Sequence, residues 1–164
     1  INNISNPVLN YIMPVISWLG ERAAIYWLFC ILAVILEKKH GKKVAFLFLI
    51  ATVIQVIVID IFFKFLWLRP RPFIELENVR TAGILWLTPS FPSGHAASAF
   101  AGAVIFSAYY KKLKIPLYTL AVLMAVSRVY NGMHYPSDVI VGALIGVLLG
   151  LLALYIIKIH RRWF

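Results

Sequence analysis

Charge is what this chain has least of. Only 13% of its 164 residues are charged, six of them acidic, and there is one cysteine. An average soluble domain carries roughly 25% charged and roughly 45–50% apolar residues; here 62% are hydrophobic. A soluble domain of this length must turn too much of its surface to water to hide that many apolar side chains, so a soluble globular fold is excluded. A lone Cys30 excludes an internal disulfide and reads as apolar filler in the middle of a hydrophobic run. The scarcity of carboxylates and the absence of a cysteine cluster suit a metal site poorly, and no cofactor is expected. No basic segment precedes the first apolar run, so no cleaved signal peptide is expected.

What the chain does have is apolar runs. Five spans of ~20 residues would need ~100 residues, close to the apolar total. They are read at residues 23–36, 44–63, 94–110, 115–127 and 139–157. The first is short, so flanking Arg22 and Lys38 would have to snorkel. The third and fourth are joined only by Lys111, Lys112, Leu113 and Lys114, which makes them antiparallel neighbours. Ahead of them, Ile4, Val8, Tyr11, Ile12, Val15, Ile16 and Leu19 recur at helical spacing, with Asn3, Asn6, Asn10 and Ser17 between them. Pro7 and Pro14 interrupt this run and Gly20 ends it. It reads as an amphipathic helix lying in the interface. The expected fold is one all-α integral-membrane domain over residues 1–164: five transmembrane helices plus that interfacial helix. Gly142, Gly146 and Gly150 form a small stripe on the fifth span, and Ala96, Ala97, Ser98, Ala101, Gly102 and Ala103 make the third slim; both predict close helix packing.

The net charge of +10 would suggest nucleic acid in a soluble protein. Here the basic residues cluster between apolar runs, as cytoplasmic loops do against anionic lipid, so no nucleic-acid partner is expected. Lys38, Lys39, Lys42, Lys43, Lys111, Lys112, Lys114, Lys158, Arg161 and Arg162 fall at one set of span ends. Arg22, Lys64, Arg69, Arg71, Arg80 and Arg128 fall at the other. The excess puts the first set in the cytoplasm with the C-terminus, and the loop over residues 68–91 outside.

Subtracting the cytoplasmic cations leaves a second group at the outer span ends: Lys64, Arg71, Ser93, His95, Arg128, His134 and Asp138, from three separated stretches. Ionisable groups at membrane depth are costly and mark functional sites. Three cations with two histidines suit an anion such as phosphate. Pro92-Ser93-Gly94-His95 reads as a helix start with Ser93 as N-cap, and free N–H groups at such a start favour anions. Asn131-Gly132 is a turn signal. His134 and Asp138, four apart, allow a carboxylate to hold one imidazole nitrogen and leave the other free to attack. Asp60, one turn before Lys64, allows an internal ion pair that pins the lysine.

Taken in order, Lys64-x6-Arg71-Pro72, then Pro92-Ser93-Gly94-His95, then Ser127-Arg128-x5-His134-x3-Asp138 resembles the three-part signature of the type 2 phosphatidic acid phosphatase family, whose site is shared with vanadium haloperoxidases. Every motif position is filled. The resemblance implies that His134 is the nucleophile and forms a phosphohistidine, with Asp138 orienting it. His95 would protonate the leaving oxygen and then act as base toward water. Lys64, Arg71 and Arg128 would hold the phosphoryl oxygens, with Ser93 and the Gly94 N–H completing the cradle, and no metal would be needed.

A site at the membrane surface implies an amphiphilic substrate that enters from the bilayer. Trp67, Phe73, Leu85, Trp86 and Phe91 are candidates to line its path, or an interfacial aromatic belt. Arg69 and Arg80 could meet a second phosphate, or pair with Glu75 and Glu77. The compact build resembles small bacterial family members of the inner membrane. The expected substrate is lipid A 1-phosphate or phosphatidylglycerophosphate, with undecaprenyl pyrophosphate or phosphatidic acid as alternatives. A soluble haloperoxidase is disfavoured by the spans. A sugar-phosphate phosphatase would keep the same site. A non-catalytic lipid-phosphate transporter would have no use for two histidines.

Overall fold

The structure, a computed structural model, describes residues 6–37, 39–82 and 85–159. Ile4, Asn3, Lys38, Arg161 and Arg162 therefore lie outside the described residues. Among those described, every regular element is helical: α1 (Pro7–Leu19), a 3₁₀ turn (Glu21–Ala23), α2 (Ala24–Leu36) and α3 (Gly41–Gln55). Helix α3 runs on through a wider π-helical stretch (Val56–Phe63) into α4 (Lys64–Leu66). The short α5 (Pro72–Glu75), then α6 (Gly94–Tyr109), α7 (Lys114–Tyr130) and α8 (Pro136–Ile159) follow.

The five-span expectation is reduced to a coarser one. Three helical stretches are long and apolar enough to cross a membrane: Gly41–Leu66, Lys111–Tyr130 and Pro136–Ile159. Pro7–Leu19 and Glu21–Leu36, bent by 51°, make a fourth candidate if taken together. The expected third span, α6, has 16 residues, which at 1.5 Å per residue reach ~24 Å, less than the ~30 Å of a hydrocarbon core. Helix α6 is also the central element, packed against α3, α7 and α8, with Ala96, Ala97, Ala99, Ala101 and Ala103 all buried.

The small-residue stripe explains how α8 reaches it. A Cβ on Gly142 would collide with the Ser93 carbonyl, and one on Gly146 with the Ala97 carbonyl. Bare backbone against bare backbone sets the α6–α8 distance, and with it the spacing of the residues at their outer ends. Deeper in the bundle, Tyr26 packs its ring on Gly102 and beside Phe48 and Phe106, with centroids 5.6 and 6.0 Å away. Cys30 is buried in that cluster, filler as expected.

The N-terminal helix departs from the expectation in one respect. Asn6 caps it, accepting from Val8 N (2.9 Å) and Leu9 N (3.3 Å), and Gly20 closes it, but Pro14 sits inside α1 without ending it. Its apolar Val8, Tyr11, Val15 and Trp18 point outward. Of its polar residues, buried Ser17 accepts from Arg128, and Asn10, itself exposed, accepts from Tyr130 Oη at 2.7 Å. The exposed apolar residues fit a helix whose outer surroundings are lipid.

Candidate active site

Separated chain segments converge at one end of the bundle. Lys64 stands near the end of the long α3–α4 rod, hydrogen-bonded to Asp60 one turn earlier, as the sequence predicts. Arg71 sits on extended backbone just before α5. Ser93 caps α6, its Oγ accepting from Ala96 N at 3.4 Å. Arg128 lies in the last turn of α7. The chain then folds back: Met133 N and His134 N both donate to the Arg128 carbonyl, at 3.0 and 3.3 Å, with Gly132 at φ 69° making the turn. Asp138 is in the first turn of α8. Ser93 N donates to the Asp138 carbonyl at 3.0 Å, tying the starts of α6 and α8 together.

Lys64, Arg71, Gly94, His95, Arg128 and His134 line one open cavity of about 400 Å³, together with Glu21, Gln55, Asp60 and Trp86. Six of the eight residues expected at the site thus meet on one surface. Ser93 and Asp138, both fully buried, stand behind that wall and hold it.

The imidazole of His134 is 3% exposed. Its Nδ1 faces Asp138 Oδ2 at 3.6 Å. Its Nε2 faces Arg71 Nη1 at 3.4 Å, on the cavity side. Asp138 is held in turn, with Oδ1 accepting from Arg69 Nη1 at 2.8 Å and Oδ2 from Tyr135 N at 2.9 Å. Burial keeps the His134 pKa well below the ordinary histidine value; the Asp138 carboxylate opposes the shift, and the Arg128 and Arg71 guanidiniums reinforce it. At neutral pH this ring is uncharged, with a lone pair available at Nε2.

Two guanidiniums bring fixed positive charge to the cavity. Arg71 is clamped by uncharged acceptors: Nε donates to the Thr88 carbonyl (2.8 Å), Nη2 to Thr88 Oγ1 (3.2 Å) and Nη1 to the Met133 carbonyl (3.1 Å). Arg128, 4% exposed, donates one N–H to Ser17, while its Nε and Nη2 are buried with no acceptor among the described residues. Buried donors on a charged group are expensive to leave unmade. Forked N–H groups opening into a cavity match the geometry of a phosphoryl group.

Several expectations are corrected here. Arg69 and Arg80 do not pair with Glu75 and Glu77, and neither lines the cavity. Arg69 is bound to Asp138 and Ser137 Oγ and lies over the Tyr135 ring, 3.8 Å from its centroid. Arg80 bonds to Asn10 and covers Tyr130. Glu75 accepts from Tyr135 Oη at 2.5 Å. Of the aromatic residues proposed along the substrate path, Trp86 lines the cavity, while Trp67 and Phe91 do not and pack on each other, with centroids 5.3 Å apart.

Thr88 and Glu21 are absent from the sequence reading, and Ser17 enters it only as a polar residue of the N-terminal helix. Glu21 Oε2 lies 3.3 Å from His95 Nε2. Its only signal is its place: one of six acids in the whole chain, it stands beside Gly20 at the break between two apolar runs.

The chain is similar to several known proteins. A lipid A 1-phosphatase of Porphyromonas gingivalis is 41% identical over 71 residues, which are 41% of this chain and 16% of that protein's length. The undecaprenyl-diphosphatase BcrC of Bacillus subtilis is 29% identical over 147 residues, 90% of this chain and 74% of that one. The crystal structure of Aquifex aeolicus LpxE superposes with a TM-score of 0.75 at 33% identity, covering 94% of this chain and 90% of that one. The sequence profile of the PAP2 superfamily matches residues 43–162, a stretch that holds both histidines and all three cavity-lining cations of the motif, and the chain belongs to that superfamily.

Proposed function

We propose that the chain is a membrane lipid phosphatase that removes a phosphate from a lipid headgroup through a phosphohistidine. The observation that carries this is the pairing of an uncharged, buried His134, its Nε2 directed at Arg71, with unsatisfied Arg128 donors on the same cavity. A transporter has no need of a nucleophile held behind a carboxylate. The Nε2 lone pair of His134 attacks phosphorus as the P–O bond to the lipid alcohol breaks, and His95 gives its proton to the departing oxygen. Water then attacks the phosphohistidine, His95 takes back a proton, and the P–N bond breaks to release phosphate. Lys64, Arg71 and Arg128 hold the equatorial oxygens, where charge builds up in the transition state. The Gly94 N–H at the start of α6, fixed by the Ser93 cap, adds a further donor.

The topology that suits this reading has α2, α3, α6, α7 and α8 crossing the membrane and α1 lying along the outer surface. Helix α1 contacts the end of α7 that carries Arg128, Tyr130 and Asn131, the last donating to the Met13 carbonyl at 3.3 Å. Lys42 and Lys43, Lys111 to Lys114, and Lys158 stand at the helix ends opposite the site, so the basic excess faces the cytoplasm and the cavity faces the extracytoplasmic side of a bacterial inner membrane. The substrate is lipid A 1-phosphate or phosphatidylglycerophosphate. The undecaprenyl-diphosphatase relative supports a prenyl diphosphate as a second reading.

Purified protein in detergent, offered a panel of these lipid phosphates, should release inorganic phosphate with or without excess chelator, and His134→Ala should abolish turnover. Release that persists in the alanine variant, or none from any lipid phosphate, overturns the proposal.

A further inference from the structure

The general acid has a carboxylate of its own, supplied from outside the motif-bearing half of the chain. His95 and Glu21 face each other at 3.3 Å, with side chains 14% and 19% exposed. The turn that brings Glu21 there is strained: Arg22 (φ 47°, ψ 32°) and Ala23 (φ 61°, ψ 27°) are consecutive non-glycine residues in the left-handed region. Such conformations persist where the surroundings over-determine them, and they gather at functional sites. Two neighbours fix this one. Ala23 is buried in the core cluster. Gly20 lies so close to the site that a Cβ there would stand 3.3 Å from His95 Cδ2 and 2.5 Å from Met124 Cε. The break between α1 and α2 is built to press this turn onto the acid.

A carboxylate on the rim of a phosphate cavity repels its substrate, so Glu21 has to act on something else there. The groups facing His95 are Arg128 from α7, Arg71 and His134 from the loops, the Lys64–Asp60 pair across the cavity, and Glu21. All but Glu21 and Asp60 are cations or a neutral ring, and cations disfavour a protonated imidazole. Glu21 is the carboxylate in contact with the ring. Building on the phosphatase reading above, we infer that Glu21 is the positioning residue of His95, orienting the ring and keeping it in the proton-bearing form that the leaving group needs. The site then holds two carboxylate–imidazole pairs with opposite tasks. Asp138 serves a buried ring that stays neutral, and Glu21 serves a ring at the cavity that must carry a proton.

The test separates proton donation from folding and from binding. Glu21→Gln should lower kcat/KM for an alkyl lipid phosphate about 10- to 100-fold, part of the 10²–10⁴ that a general acid supplies. For p-nitrophenyl phosphate, whose phenolate departs without a proton, the loss should be under about threefold. Competitive inhibition by inorganic phosphate should be no weaker, because an anion has been removed from the cavity rim. The alkaline limb of the kcat/KM profile should move to lower pH, and Glu21→Asp should restore part of the rate. Equal losses on both substrates, weaker phosphate inhibition, or an unmoved alkaline limb would each overturn the assignment. A wild type that releases phosphate from neither substrate sinks the phosphatase reading itself. A wild type that turns over, with a glutamine variant indifferent to leaving group, sinks only the role of Glu21.

Discussion

The geometry around Asp138 makes its conversion to asparagine a sharp test of how the nucleophile is prepared. The carboxylate is fully buried, with Oδ1 taking the Arg69 N–H at 2.8 Å and Oδ2 taking the Tyr135 N–H at 2.9 Å while facing His134 Nδ1 at 3.6 Å. Arg69 can only donate, so in Asp138→Asn it selects the side-chain amide oxygen for the Oδ1 position. The NH₂ then occupies the Oδ2 position, where it opposes the Tyr135 N–H and offers a donor to His134 Nδ1. That favours the tautomer with its proton on Nε2, the atom meant to attack. In a Ser-His-Asp triad the same exchange costs about 10⁴ in kcat by this route. A loss of 10³–10⁴ is expected here, or about 4–5.5 kcal/mol at 1.36 kcal/mol per decade. The unpaired Tyr135 N–H adds about 1–3 kcal/mol of destabilisation. Phosphate release from a lipid phosphate in micelles measures the first effect, and thermal unfolding in the same detergent measures the second. A folded Asp138→Asn protein within tenfold of wild type would refute the claim that this carboxylate sets the tautomer.

Two further outcomes follow from the same packing. His134 has a folded pKa below its unfolded value of about 6.5, so the unfolded chain binds the extra proton first. The stability this ring contributes is present above pH ~6.5 and is lost as pH falls toward the folded value, at up to about 1.36 kcal/mol per pH unit. Unfolding of His134→Asn between pH 7.5 and 5 should show that much less acid sensitivity than wild type, and an unchanged slope would contradict the buried neutral ring. Gly146→Ala should lower both the unfolding temperature and the activity, although alanine is favoured over glycine in a helix by ~1 kcal/mol, because its Cβ meets the Ala97 carbonyl two residues after His95. A gain in stability would show that α6 and α8 are not held by backbone contact.

Membrane class and most of the residues that meet at the cavity are legible in the sequence, since they rest on composition and on short-range patterns. Apolar runs with few charges call for lipid. Ser93 before Gly94 and His95 makes a capped helix start, and the four-residue interval between His134 and Asp138 places a carboxylate behind the ring. The Asp60–Lys64 pair, one helical turn apart, is equally local. Partners from distant segments are not legible, because nothing in a one-dimensional pattern records which helix ends meet. Arg69, open to several readings as one cation among many on an outer loop, finds Asp138 across 69 residues. Glu21 reaches His95 through a strained turn between α1 and α2, where a bare Gly20 lets the backbone approach the ring. The central place of α6 belongs with these: its alanine-lined faces let α3, α7 and α8 pack on it, which no run of apolar residues records. The sequence alone thus determined the lipid environment and most of the residues that meet at the cavity, through solvation and local spacing. Only the tertiary structure decided which carboxylate attends which histidine, because that depends on how closely backbones without side chains in the way can approach.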